Sequence, residues 1–312
     1  MSKGSVVWFV GLLLFLHNDS LAVRIDPSTK TSSLQDIVTE HRRLEERPHE
    51  ELSSQDSQQQ QHRRRRTVSV TIPTNPDDHL VTNLPLSKDG QQPLSTKQWA
   101  GHLPANDSGE KYLFYWLFAP DLADSNVDEH DVPLVIWLNG GPGCSSMDGL
   151  FLENGPLRLL KTDTGEYKVV AAETSWHQVP AYTLYIDQPV GTGLSFTTDT
   201  KGYPTNDEQV NIDFYYFLQS FFTLHADKFV TLKEDPKPVF RDVYFSGESH
   251  AGHYIPSMMH YIVRKNDDND NSNKIVIPLA GAAIGNGWTD PYHQYAAAEI
   301  GYAHGFVRGE ET

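Results

Sequence analysis

"DVYFSGESHAGHYIP", residues 242–256, decides how the rest of the chain is read. A short apolar run, Val243-Tyr244-Phe245, breaks at Gly247, presents Ser249 and restarts with the composition of a helix. A strand that turns sharply into a helix around a serine exposes the hydroxyl as a nucleophile. Small residues must flank it, because strand and helix approach closely there. Gly247 meets that need, and Ala251 takes the place of a second glycine. The bare pattern Gly-x-Ser-x-Ala arises by chance; a strand before it and a helix after it give it weight. Such a serine also needs a base, an acid to orient the base, and donors for the oxyanion.

Upstream, "WLNGGPGCSS" (137–146) follows a buried-type strand and is rich in glycine. Glycine lets backbone approach a substrate and aim amide N–H groups at it. The alternatives are an ordinary tight turn or a phosphate cradle, and the Lys-Ser/Thr of a P-loop is lacking. In α/β-hydrolases the oxyanion hole takes one N–H from such a loop and one from the residue after the nucleophile. Gly141 and His250 are the matching amides.

The surrounding pattern supports that fold. "KYLFYWLFAP" (111–120), "VPLVIWLNG" (132–140), "AYTLYIDQP" (181–189), "DVYFSG" (242–247) and "KIVIPLAGAAIGNG" (274–287) read as strands. Two helices are expected. In the first, Val210, Phe214, Phe217, Leu218 and Phe221 keep helical spacing behind a capping box of Thr205 and Glu208. The second runs through "AGHYIPSMMHYIVRK", with Pro256 expected to kink it or confine its first segment to one or two turns. Strands alternating with helices predict an α/β chain with a mostly parallel sheet and helices on both faces.

Composition narrows the partners. A formal net charge of −16 disfavours nucleic acid and anionic lipid. One cysteine, Cys144, excludes an internal disulfide and a cysteine-based zinc site; no cofactor or metal is expected. Residues 1–22 place Lys3 before an apolar run, Val6 to Leu16, and small residues near Ala22, the order of a secretory signal peptide. That run is too short to span a bilayer, and no later stretch qualifies. Residues 23–77 are polar and Gln-rich and are expected to be disordered. There Arg63 to Arg66 read either as a solvated charge run or as a basic processing site. The folded domain is expected over 78–312. Asn106, in Asn-Asp-Ser, is a candidate glycosylation site.

Four long motifs, "WLNGGPGCSSMDGLFLENGP", "YIDQPVGTGLSF", "GESHAGHYIP" and "GNGWTDP", occur in the order found in serine carboxypeptidases. From about residue 78 onward the chain resembles that family, and its wording looks most like fungal Kex-type members, which trim C-terminal Lys and Arg. His250 departs from the Tyr common at its position, but only its backbone N–H is needed. The resemblance implies that Asn139, the Gly140 N–H, Glu153 and Glu248 bind the free α-carboxylate of a peptide. Carboxyl groups so crowded cannot all ionise, so at least one should hold a proton with a raised pKa, and binding should improve at acidic pH. Such a pH suits a secreted, vacuolar or late Golgi setting. Asp148 is the candidate for pairing with a basic C-terminal side chain. Trp137 lines the same pocket or is simply strand core.

The family's triad runs Ser, Asp, His, with a helical insertion before the last two. Residues 250–312 offer Asp290, His293 and His304 outside the helix after Ser249 and its loop. Asp290 belongs to a motif that the family has besides its triad Asp, and the two histidines fall where the insertion begins. The family also pairs the position of Cys144 with a later cysteine. The chain is therefore expected to be the N-terminal portion of a carboxypeptidase: it would lack the C-terminal strands, most of the cap and any membrane anchor, and be inactive alone. Alternatives are an acyltransferase or esterase of the same fold, against which Glu248 argues, and a non-catalytic protein that binds peptide C-termini. Oligomeric state is not legible.

Overall fold

Period-2 alternation in the strands sorts their side chains into two apolar layers. The structure, a computed structural model, describes residues 73–84, 94–123, 125–268, 274–295 and 297–306. The expected signal peptide, most of the expected disordered segment and Arg63 to Arg66 lie outside the described residues. In chain order the strands are β1 (Gln98–Pro104), β2 (Lys111–Phe118), β3 (Leu134–Leu138), β4 (Leu157–Lys161), β5 (Tyr167–Ala171), β6 (Tyr182–Asp187), β7 (Phe196–Thr197), β8 (Lys237–Pro238), β9 (Val243–Glu248), β10 (Ile275–Val276) and β11 (Leu279–Gly285). The helices are α1 (Asp207–Leu224), α2 (Ala226–Phe229), α3 (Ala251–Asp267), α4 (Pro291–Gln294) and α5 (Ala297–Ala303).

The main sheet runs β1-β2-β6-β3-β9-β11, with β7 beside β2. From β6 to β11 neighbours are parallel, whereas β1, β2 and β7 add an antiparallel edge. This is the order expected of an α/β-hydrolase sheet. Leu113, Tyr115 and Leu117 of β2, Leu134 and Ile136 of β3, and Leu184 and Ile186 of β6 face one layer. There they meet Phe214, Phe217, Phe221 and Phe222 of α1 and Tyr254, Ile255 and Met258 of α3. Each such aromatic or aliphatic side chain, fully buried, stabilises the fold by about 1.5–3 kcal/mol. Trp137, Tyr185 and Phe118 face the other layer, with Leu150, Leu157 and Val169. Among the described residues that second face is covered by the β4–β5 hairpin and the turn Gly149–Glu153.

Three local expectations shift. The cap of α1 is Asn206, one residue beyond Thr205: its side chain accepts from Gln209 N at 3.0 Å, and Gln209 Oε1 accepts from Thr205 N at 2.9 Å. The capping logic is as read, but the Asn206 side chain reaches the third helical N–H and Gln209 supplies the return bond. Pro256 does not confine α3, which continues to Asp267 because Met258 and Ile262 bury the face beyond it. The last strand divides at Ile277-Pro278, leaving β10 to pair with β8 and β11 with β9. The domain boundary drawn at residue 78 falls inside a short turn, Pro76–His79, capped by Asn75.

β9 and α3 meet at Gly247. A Cβ there would lie 2.3 Å from Leu138 O and 2.7 Å from the Ala251 Cβ, so nothing larger than glycine fits. At Gly285, on the neighbouring strand, the nearest atoms would be at 3.8 and 3.9 Å, ordinary contact. Gly247→Ala is expected to destabilise the full-length protein by about 1–3 kcal/mol and Gly285→Ala by much less. Urea denaturation of the two variants side by side checks the contrast.

Candidate active site

Ser249 caps the C-terminal end of β9 in a left-handed conformation, φ +56°, that non-glycine residues seldom adopt. Two backbone hydrogen bonds hold it there: its N–H donates to Gly285 O at 2.9 Å, and its carbonyl accepts from Trp288 N at 2.7 Å. The turn leaves Ser249 exposed at the end of the sheet. Ala251 begins α3 against Gly247, as the sequence implied. Gly252 does further work: a Cβ on it would lie 2.7 Å from Trp288 N, so the helix start is pressed against the loop after β11.

The glycine loop lies against this turn. A Cβ on Gly140 would sit 2.6 Å from His250 N and 2.9 Å from the Ser249 Cβ. Gly141 follows at φ +111°, open to L residues only with strain. Neither the Gly141 nor the His250 backbone N–H is engaged by an acceptor among the described residues. The two candidate oxyanion donors and the serine thus belong to one small region. Gly143 N donates to Tyr254 OH at 3.3 Å, bracing the loop against α3.

Asn139 organises the adjoining cluster. It is 3 % exposed. Its Oδ1 accepts from Trp137 Nε1 at 2.7 Å and from Gly149 N at 3.1 Å. Those two donors fix the amide orientation, so Nδ2 points at carboxylates: Glu153 Oε1 at 3.1 Å and Glu248 Oε1 at 3.2 Å. Asp148 stands close enough to act on Glu153 electrostatically, as does Glu248. Partial burial pushes the Glu153 carboxyl above its ordinary range, and Glu248 and Asp148 push the same way, against the Asn139 hydrogen bond. Burial and the charge of Glu248 likewise raise Asp148. The expectation of a crowded, proton-holding cluster fits this geometry.

The remaining candidates divide. Trp137 is a buried strand residue that also orients Asn139, so the two readings of it meet in one side chain; it packs edge-on against Trp176. The His250 ring lies among His253, Tyr254 and Trp288. His293 Nδ1 is hydrogen-bonded to Asp290 at 2.5 Å in an exposed pair at the start of α4, and His304 stacks on Phe306. Among the described residues neither imidazole is hydrogen-bonded to Ser249, and no group of His, Cys, Asp and Glu is placed to hold a metal. Cys144 is a free thiol. Asn106 uses its side chain to close the β1–β2 turn, accepting from Glu110 N and Lys111 N. Sequence reasoning missed Ser146, Tyr254 and Trp288; all lie inside the quoted motifs, but their roles depend on contacts across the fold.

The sequence profile of the serine carboxypeptidases matches residues 88–312. Serine carboxypeptidase S10 family member 2 of Dictyostelium discoideum is 43 % identical over 73 % of this chain and 37 % of its own length. The pheromone-processing carboxypeptidase KEX1 of Phytophthora infestans is 42 % identical over 73 % of this chain and 35 % of its own. The crystal structure of Kex1(delta)p, a prohormone-processing carboxypeptidase from Saccharomyces cerevisiae, superposes with a TM-score of 0.60 at 30 % identity, covering 75 % of this chain and 48 % of that one. The chain thus spans well under half the length of the curated relatives it matches.

Asn139→Ala would strand the Trp137 indole N–H and the Gly149 N–H without an acceptor. Each buried donor so orphaned costs about 1–3 kcal/mol. The variant is expected to lose stability on that scale, measured as a lowered denaturation midpoint with unchanged m value.

Proposed function

We propose that this chain, which belongs to the serine carboxypeptidase family, carries the nucleophile and the carboxylate-binding half of an enzyme that releases C-terminal residues from peptides and proteins. The observation that carries this is the Asn139 amide, oriented from behind by Trp137 and Gly149 and reaching two glutamates beside Ser249. An endopeptidase has no use for such a cluster. A carboxypeptidase must recognise a terminal carboxylate, and protonated carboxyl groups with an amide donor can do so without a cation.

On this reading the Ser249 Oγ attacks the last peptide carbonyl. The oxygen that becomes negative is met by the Gly141 and His250 N–H groups, the hydroxyl proton passes to a base, and the C-terminal residue leaves as an amine, giving an acyl-enzyme. Water reverses these roles. Asp290, His293 and His304 are not assigned as base or orienting acid: the first two are committed to each other at the surface. Slow fluorophosphonate labelling of Ser249 in the 312-residue chain is expected; rapid labelling, lost in Ser249→Ala, would show a base already in place.

The pH dependence follows from the cluster. Glu153 and Asp148 have raised pKa values, so they stay neutral further up the pH scale than ordinary carboxyls and lose their protons as pH rises through that raised range. A substrate carboxylate is then repelled. Affinity for a peptide acid is expected to weaken from about pH 5 to about pH 7, and Glu153→Gln to flatten that slope. An acidic secretory compartment accords with that profile.

Asp148 is proposed to favour a basic C-terminal side chain, its carboxylate being half-buried and facing the cluster. Asp148→Thr in the full-length enzyme should lower kcat/KM for Lys- and Arg-ended peptides relative to Leu-ended ones by about tenfold, the scale of one charge-assisted hydrogen bond. An unchanged ratio removes the assignment. Ester turnover exceeding peptide release would favour the esterase or acyltransferase alternative.

A further inference from the structure

Asp187 is a carboxylate that the mechanism above does not use. It ends β6 one strand away from the glycine loop, and it is fully buried. No ion pair reaches it among the described residues. Instead its oxygens are taken by donors from two loops. Ser145 Oγ donates to Oδ1 at 2.6 Å and Ser146 N at 2.9 Å, while Leu194 N donates to Oδ2 at 2.9 Å. Gly193, at φ +55°, approaches so closely that a Cβ there would sit 2.2 Å from Oδ2. The Asp187 carbonyl accepts from Ser195 Oγ at 2.6 Å, and Ser195 Oγ accepts from Phe114 N on β2 at 2.8 Å. One residue therefore ties the loop 144–149, the loop 190–195 and the strand β2 together.

The consequence runs toward substrate. Ser146, fixed by Asp187 through its N–H, presents its Oγ to Asn139 N at 3.2 Å. Ser145, fixed through its Oγ, receives Met147 N at 3.2 Å on that same oxygen and Asp148 N at 3.1 Å on its carbonyl. We propose that Asp187 is a positioning residue of the substrate-carboxylate site: it sets the segment Ser145 to Asp148, and through Ser146 the backbone of Asn139, at the distance from Glu153 and Glu248 that a terminal carboxylate needs. It does not anchor Gly140, which rests directly on the Ser249 turn. A buried anion with no cation is costly to keep, and its retention here in place of an amide is accounted for by donors that converge on it from both loops. Burial holds the Asp187 carboxyl up to about 6, and the neighbouring charge of Asp148 adds to that rise against the three donors.

This inference rests on the carboxypeptidase reading of the Asn139 cluster, and the test separates the two. In the full-length protein carrying Ser249→Ala, so that no ligand is consumed, calorimetry compares a peptide acid with the same peptide ended as an amide. The background is expected to prefer the acid. Adding Asp187→Asn, which keeps the volume but turns a donor toward donors, should reduce that preference at least about tenfold, the effect of a small misplacement of binding groups. Asp213→Asn serves as the control for loss of a buried carboxylate: it removes the partner of Lys111 on the helical face and should leave the preference intact. Should Asp187→Asn fail to fold, Ser145→Ala removes one of the donors and is expected to give a smaller change in the same direction. A background that prefers the acid while both loop variants retain the full preference overturns the role of Asp187 and leaves the proposed function standing. A background without preference overturns the carboxylate site, and the role of Asp187 with it.

Discussion

The whole upper end of the sheet depends on one residue held in a conformation that its side chain disfavours. Ser249 at φ +56° carries a strain of about 1–3 kcal/mol, and the surrounding backbone must offset it. The bonds to Gly285 and Trp288 do so from the β11 side, while Gly140 closes from the β3 side. This arrangement requires that no side chain intrude, which is why glycines stand at 140, 247 and 252. The atom nearest a Cβ at each of these positions is a backbone atom, which cannot swing aside as the end of a flexible side chain would. The strain and the close approach leave Ser249 exposed at the end of the sheet, with Gly140 against its turn and the Gly141 and His250 N–H groups unengaged among the described residues.

A second constraint is electrostatic. Three carboxyl-bearing residues, Asp148, Glu153 and Glu248, act on one another, and a single amide, Asn139, donates to the two glutamates. Charges a few ångströms apart at partial burial repel by several kcal/mol, so full ionisation is resisted, and the raised pKa values of Asp148 and Glu153 express that resistance. A cation would have neutralised the cluster and made it indifferent to pH. An amide leaves it open to protons and, on the proposed reading, to a substrate carboxylate when protons are plentiful. The Trp137 indole matters here because it holds Asn139 by its oxygen, leaving the nitrogen for the carboxylates; with the amide reversed, oxygen would face oxygen.

Much of this was legible in the sequence because the elements that matter are local. The elbow is six contiguous residues, the loop is another ten, and both announce themselves by glycine beside an apolar run. The continuous apolar run of β3 and helical spacing in α1 placed the core correctly. What escaped the sequence reading was governed by neighbours far along the chain. The cap of α1 moved by one residue because the Asn206 side chain accepts from Gln209 N while the Gln209 side chain reaches back to Thr205 N. The β4–β5 hairpin, with exposed Leu160 and Tyr167 interrupting its apolar pattern, gave no clear alternation. Asp187 stood in plain view within "YIDQP", but a buried aspartate after a strand and an exposed one look alike until the donors that meet it are known.

Cys144 shows how the same field shapes a residue that the chemistry does not use. Partial burial disfavours its thiolate, and the negative charges of Asp148, Glu248 and Glu153 disfavour it further. Reactive cysteines are found where cations or helix starts lower the thiol pKa, and here every neighbouring influence runs the other way. The carboxyl cluster proposed to receive a peptide terminus thus also disfavours the thiolate of Cys144, and on the proposed reading the nucleophile at this end of the sheet is the oxygen of Ser249.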